Sequence, residues 1–69
     1  MKIKLPANAK VSPTENGFND SIIKMPGLMG WDIASAIAIE NGVDLLSFVK
    51  FVDLGVYQDH VIIGTKHVA

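Results

Sequence analysis

The strongest constraint on this chain is a pair of helix-forming runs separated by Asn41-Gly42. In the first, from about Asp32 to Glu40, the residues Ile33, Ala34, Ile37 and Ala38 recur at the spacing of one helical face. Glycine takes the left-handed conformation that closes a helix at no Cβ penalty, so Gly42 is the expected stop. Asp44 stands where a carboxylate can cap a second helix, running from about Asp44 to Val52 or Asp53. There Leu45, Phe48, Val49 and Val52 form the core-facing pattern, while Leu46 and Phe51 are apolar and point elsewhere. Asp44, Ser47, Lys50 and Asp53 leave only a narrow polar stripe.

Strand signals flank this pair. Ser21–Met25 is a β-rich run stopped by Pro26-Gly27, and His60–Ile63 is a second one, with Gly64 as a turn or bulge and Thr65–Val68 as a short continuation. Leu28-Met29-Gly30-Trp31 reads as an apolar loop and Val56–Asp59 as another. The resulting order is β-α-α-β, in which the two strands pair antiparallel with the helix pair on one face. The expected class is α+β. Residues 1–20 read differently. Lys2 and Lys4 alternate with Ile3 and Leu5 as in a short strand, then Pro6, Pro13, Asn16 and Gly17 punctuate loop or turn. Asn16-Gly17 fits a type I′ hairpin turn, but only weak strands flank it. The expected organisation is an extended N-terminal arm over 1–20 and a small domain over 21–69. The arm is either a disordered leader or a segment that orders against a neighbouring subunit.

Composition enters through what such a small domain can bury. A chain of 69 residues buries only about 60% of the surface its unfolded form exposes. Yet 49% of the residues are hydrophobic, so apolar surface is left over, and such surface marks contact sites. A protein partner or a homo-oligomer is expected. The net charge is -1, the six lysines are scattered, and there is no arginine, so the basic stripe that phosphates require is missing. Ile37, Ala38, Gly42, Val43, Phe48 and Phe51 also fit helix-turn-helix spacing, but Lys50 is the only basic residue of the second helix. Nucleic acid is therefore not an expected partner. With no cysteine, there is neither a disulfide framework nor a thiolate metal site. No apolar run follows the lysines of Met-Lys-Ile-Lys-Leu-Pro, so no signal peptide is expected. The apolar region from Gly27 to Leu54 is broken by Asp32, Glu40, Asp44, Lys50 and Asp53, so no membrane span is expected either. Localisation stays open.

Catalysis needs converging titratable groups, and the pattern offers few. His60 and His67, seven apart, would face opposite sides of one continuous strand, and adjacent Asp59 and His60 would also point apart. The carboxylates are dispersed, and no serine sits in a nucleophile elbow. Gly27-Leu-Met-Gly30 reads as a hinge and not as a phosphate loop. A non-catalytic protein without metal or cofactor is expected. Trp31 and Tyr57, the only Trp and Tyr, lie in connections that reach the same end of a β-α-α-β unit. They are either core plugs or the walls of a shared shallow groove. Leu28, Met29, Trp31, Leu46, Phe51 and Tyr57 are the candidate binding residues.

Trp31-Asp-Ile-Ala-Ser-Ala-Ile-Ala38 followed by Gly42-Val43 resembles the first helix of a LysM domain, whose pattern is Gly-Asp-Thr-Leu-x-x-Ile-Ala and then Gly-Val. Val61-Ile-Ile-Gly64 is similar to that family's Ile-x-Pro-Gly before its last strand. The resemblance covers roughly residues 21–69. It implies two helices on a small antiparallel sheet. It also implies one of two roles: binding N-acetylglucosamine polymers such as peptidoglycan or chitin, or serving as a structural part of bacteriophage tails and baseplates. Trp31 stands where the family has Gly, Ile33-Ala34 where it has Thr-Leu, and Val52-Asp53 where it has Asn. Together with the arm and the apolar second helix, these departures favour the structural role. The expectation is a virion tail, baseplate or capsid accessory component that binds protein subunits. A glycan-binding module and a small inhibitor docking on a host protein are the alternatives.

Overall fold

Alternation along two short strands sets the floor of the molecule. In the computed structural model, which describes residues 2–14 and 20–67, strand β2 spans Asp20–Lys24 and strand β4 spans Val61–Gly64. Ser21, Ile23, Val61 and Ile63 are buried, while Ile22 and Ile62 are only half-buried. The strands pair antiparallel with Ser21 opposite Ile63 and Ile23 opposite Val61, which gathers the buried side chains on one face. Two further strands complete the sheet: β1, Lys10–Pro13, and β3, Gly55–Val56. The order is β1-β2-β4-β3, antiparallel throughout.

The helix pair covers the buried face. Helix α1 runs Gly30–Glu40 and buries Ile33, Ala34, Ile37 and Ala38, the face its periodicity marks. It begins two residues before the expected Asp32. Its N-cap is Met29, which has no polar side chain, and Asp32 becomes a first-turn acid that suits the positive end of the helix. The helix ends as expected: Gly42 sits at φ 66°, and the amides of Gly42 and Val43 reach back to the carbonyls of Ile39 and Ala38. Helix α2 runs Leu45–Val52, and the Asp44 carboxylate accepts from the Ser47 amide at 3.2 Å. Phe48 and Val52 are buried, with Leu45 and Val49 packed beside them. Asp53 closes this helix in the left-handed region (φ 51°), one residue before the expected Leu54-Gly55. Among the described residues the fold is a small α+β domain, with two α-helices on a four-stranded antiparallel sheet. Among the described residues, no helix is long and apolar enough to cross a membrane.

The segment read as an arm is part of the domain. Ile3 is fully buried in the core, and its amide donates to the His67 carbonyl at 2.6 Å. Asn41 holds Lys4 from both sides: Oδ1 accepts from the Lys4 amide at 2.8 Å and Nδ2 donates to the Lys4 carbonyl at 2.9 Å. Nδ2 also reaches the Ile37 carbonyl at 2.7 Å, tying the strap to the end of α1. The stretch after Ala9, read as loop, is the edge strand β1. Pro13 is tolerated there because an edge strand has one unpaired side. The Asn16-Gly17 turn lies outside the described residues.

Two more expectations change near the end of the chain. Gly55–Val56, read as helix closure and loop, pairs with β4, and the Tyr57 amide donates to the His60 carbonyl at 2.9 Å to close a tight connection. After Gly64 the backbone turns into a 3-10 segment, Thr65–His67, instead of continuing as strand. The turn presents the His67 carbonyl to Ile3.

Candidate functional site

One candidate surface lies at the end of the domain where the β2–α1 and β3–β4 connections meet. The Gly30 amide donates to the Gln58 carbonyl at 2.9 Å. A Cβ at Gly30 would overlap the Tyr57 carbonyl oxygen at 1.8 Å. Only glycine allows this approach, and it sets Trp31 beside the Tyr57 connection. The two connections therefore meet at one end of the domain, and Trp31 stands in the first turn of α1 and not in a loop. Neither ring is a core plug: Trp31 is 56% and Tyr57 51% exposed. Met29 is exposed next to them, and Leu28 packs partly against the core.

Tyr57 is oriented by a neighbour that the strand argument set aside. Its ring stacks on His60 with centroids 4.9 Å apart and planes 7° from parallel. His60 Nδ1 lies 2.7 Å from Asp59 Oδ1. Asp59 and His60 thus converge, contrary to the expectation that they diverge. They precede β4, so the two-residue alternation of a strand does not govern them. The hydrogen bond from His60 holds the exposed Asp59 carboxyl below the usual carboxylate range.

The second surface is the outer side of α2. Leu46 is 68% and Phe51 59% exposed, and Val43 at the entrance to the helix is also exposed. Val43, Ser47, Phe48 and Phe51 line an apolar hollow of about 340 Å³. Leu46 and Phe51 are expected contact residues; Val43 and Ile39, which stands well exposed near the end of α1, join them only in the structure. Val43 precedes the N-cap Asp44 and so has no helical row to mark it; it joins Ser47 and Phe51 only where the chain enters the helix.

A third feature, unseen in the sequence, is a cleft of about 560 Å³ between the end of α2 and the ends of β2 and β4. Asp20, Asp53, Lys66 and His67 contribute to its walls with the ring of Phe51. Phe51 and His67 are in tilted contact at 6.5 Å. His67 Nδ1 is buried with no hydrogen-bond partner among the described residues. His67 belongs to the 3-10 segment and not to β4, so strand alternation does not relate it to His60. Among the described residues, no three His, Asp or Glu side chains come close enough together to hold a metal ion.

The arrangement therefore offers two apolar surfaces of different chemistry. One carries the exposed Trp31 at a connection that meets the stacked Tyr57–His60 pair and its Asp59 carboxylate, and the other is a helix face of aliphatic and phenyl groups. The chain matches no protein-family model, no curated protein and no solved structure.

Proposed function

We propose that this chain is a non-catalytic assembly module that binds other protein subunits, in a setting such as a bacteriophage tail, baseplate or capsid accessory part. One observation carries the reading. Met29, Trp31, Leu46, Phe51 and Tyr57 all stand in solvent although the core closes without them. Large apolar groups gathered on the surface of so small a domain mark contact with another macromolecule. Leu46 and Phe51 offer no hydrogen-bonding group, so protein is the fitting partner for α2. The experiment is site-specific photo-crosslinking in the cells or particles that make the protein. A crosslinker at Leu46 or Phe51 is expected to yield discrete adducts with protein, and one at Glu40 is not. Equal, diffuse labelling at all three positions overturns the reading.

A glycan-binding role of the LysM kind is supported by a separate observation. Gly30 draws Trp31 to the Tyr57 connection, and Tyr57 is held by His60 beside a carboxylate. Rings with polar neighbours suit a sugar, whose faces are apolar and whose edges are hydroxylated. Retention on insoluble peptidoglycan or chitin tests it. Trp31→Ala and Tyr57→Ala should each weaken retention by about 1–3 kcal/mol. No retention of the unaltered protein, or equal retention of the variants, removes the glycan reading and leaves the assembly reading standing.

A further inference from the structure

We infer that the outer face of α2 is a self-recognition surface, on which a second copy of this chain packs antiparallel about a two-fold axis at Ser47. The inference rests on the assembly reading and names one partner for it.

The argument is one of symmetry. A two-fold contact uses the same patch on both subunits, so the patch must complement itself. When two helices cross antiparallel at one residue, positions displaced equally and oppositely from that residue come level across the interface. Around Ser47 these positions match in kind. Asp44 is the N-cap and Val43 the residue before it, and both are kept at this face: Val43 shares the hollow with Ser47 and Phe51, and the Asp44 carboxylate accepts from the Ser47 amide. Four residues before and after stand Val43 and Phe51, both exposed and both lining the apolar hollow. Three residues before and after stand Asp44 and Lys50, both exposed and of opposite charge. Each phenyl ring then meets the Val43 side of its neighbour's hollow, and each lysine reaches its neighbour's carboxylate. This occurs twice, once on either side of the axis. Ser47 itself is small and exposed, which lets the two backbones approach at the crossing point. A parallel arrangement would set Lys50 against Lys50 and Asp44 against Asp44, and is disfavoured by charge.

Phe48 gives the hollow a floor that is already in place. It is buried and lines the hollow, on a helix capped by Asp44. No loop has to be ordered on binding, which lowers the cost of association. The patch is small beside the roughly 20–30 residues a side of a standard interface, so the expected dimer is weak, with a Kd between about 10 µM and 1 mM. A contact of that strength acts through repetition in an assembly.

The test uses the purified 69-residue chain. Sedimentation and light scattering up to about 1 mM should show a monomer–dimer equilibrium. Phe51→Ala should raise the Kd at least about tenfold, and Lys50→Glu a few-fold with the salt dependence reversed, because a carboxylate then faces Asp44. Because the chain has no cysteine, Ser47→Cys places a single thiol at the axis. Mild oxidation should link two copies through it much faster than through Asp32→Cys on α1. Circular dichroism checks that each variant is folded. A monomer over the whole concentration range overturns the inference, as does a dimer indifferent to Phe51→Ala, or one that Ser47→Cys links no faster than Asp32→Cys. If the protein is monomeric while a crosslinker at Leu46 still captures a different protein, self-recognition fails and the assembly reading survives. If the Leu46 crosslinker captures nothing either, both fail.

Discussion

The α2 face and the Trp31–Tyr57 end are both apolar and exposed, yet they are held by different means. The α2 face is local. Its residues lie within nine positions of one another, on a helix whose start is fixed by Asp44 and whose inner side is anchored by Phe48 and Val52. The Trp31–Tyr57 end is long-range. It exists because Gly30 and Gln58, distant in sequence, share a hydrogen bond, and because no side chain stands between Gly30 and the Tyr57 carbonyl. Surfaces made locally tolerate changes elsewhere in the domain, whereas surfaces made by a tertiary contact fail with that contact. The two can therefore be broken separately.

Gly30→Ala is expected to have the largest effect. Its methyl group has no room beside the Tyr57 carbonyl, and overpacking of this kind costs about 1–3 kcal/mol. Chemical denaturation should show that loss, and the fluorescence of Trp31, the only tryptophan, should shift as the connections separate. Association through α2 should be unchanged at temperatures where the variant stays folded. A variant that weakens association as much as it alters Trp31 would mean the two surfaces are coupled. Asp44→Ala should have the converse effect: a loss of about 1 kcal/mol from uncapping α2, weaker self-association, and unaltered Trp31 emission. Leu46→Ala comes next. The side chain is 68% exposed, so folding stability should move by no more than about 0.5 kcal/mol, and any larger change would show that Leu46 is packed in the monomer.

The same division between local and long-range explains what could be read from the sequence. The helix pair was legible because periodicity, the Gly42 stop and the Asp44 cap act within a few residues of themselves. The antiparallel pairing of β2 and β4 followed once the helices were placed between them. Ile3 was not legible as core, since its burial depends on Asn41, 37 positions from Lys4, and on the His67 carbonyl. Asn41 looked like an ordinary helix-ending residue, and nothing around it signals that its amide pairs with a distant backbone. The start of α1 was misplaced for a related reason. Its N-cap Met29 supplies no side-chain hydrogen bond, and the Gly30 amide is taken up by the Gln58 carbonyl. At the candidate surfaces, Leu46 and Phe51 stood out because a helical wheel leaves them no room on the inner face. Trp31 and Tyr57 could be placed at one end of the domain, but connection residues have no periodicity to say whether they are buried. The Asp59–His60 pair and the cleft by His67 depend on turn geometry that composition does not encode.

The smallest expected effect concerns what holds Tyr57 in place. The Asp59 carboxyl is held below the usual carboxylate range, chiefly by its hydrogen bond with His60. A carboxyl group whose pKa is depressed by folding contributes stability above its unfolded pKa, and that contribution is lost as pH falls through the folded value. The contribution should therefore be complete at neutral pH, begin to fall near about pH 4 and be lost as the pH drops further through the folded value. It is slight, because Asp59 is exposed to solvent. Asp59→Asn removes the titration, so the difference in melting temperature between variant and unaltered protein should be present at pH 6 and shrink steadily as the pH is lowered below about 4. Nuclear magnetic resonance of the Tyr57 and His60 rings should show their stacking loosen over the same acid range in the unaltered protein, and show no acid transition in the variant. If the stacking is identical in both proteins at every pH, the carboxylate plays no part in setting Tyr57. The Trp31–Tyr57 end would then depend on the Gly30 contact and the ring packing alone, which would set it further apart from the capped helix on which the other surface stands.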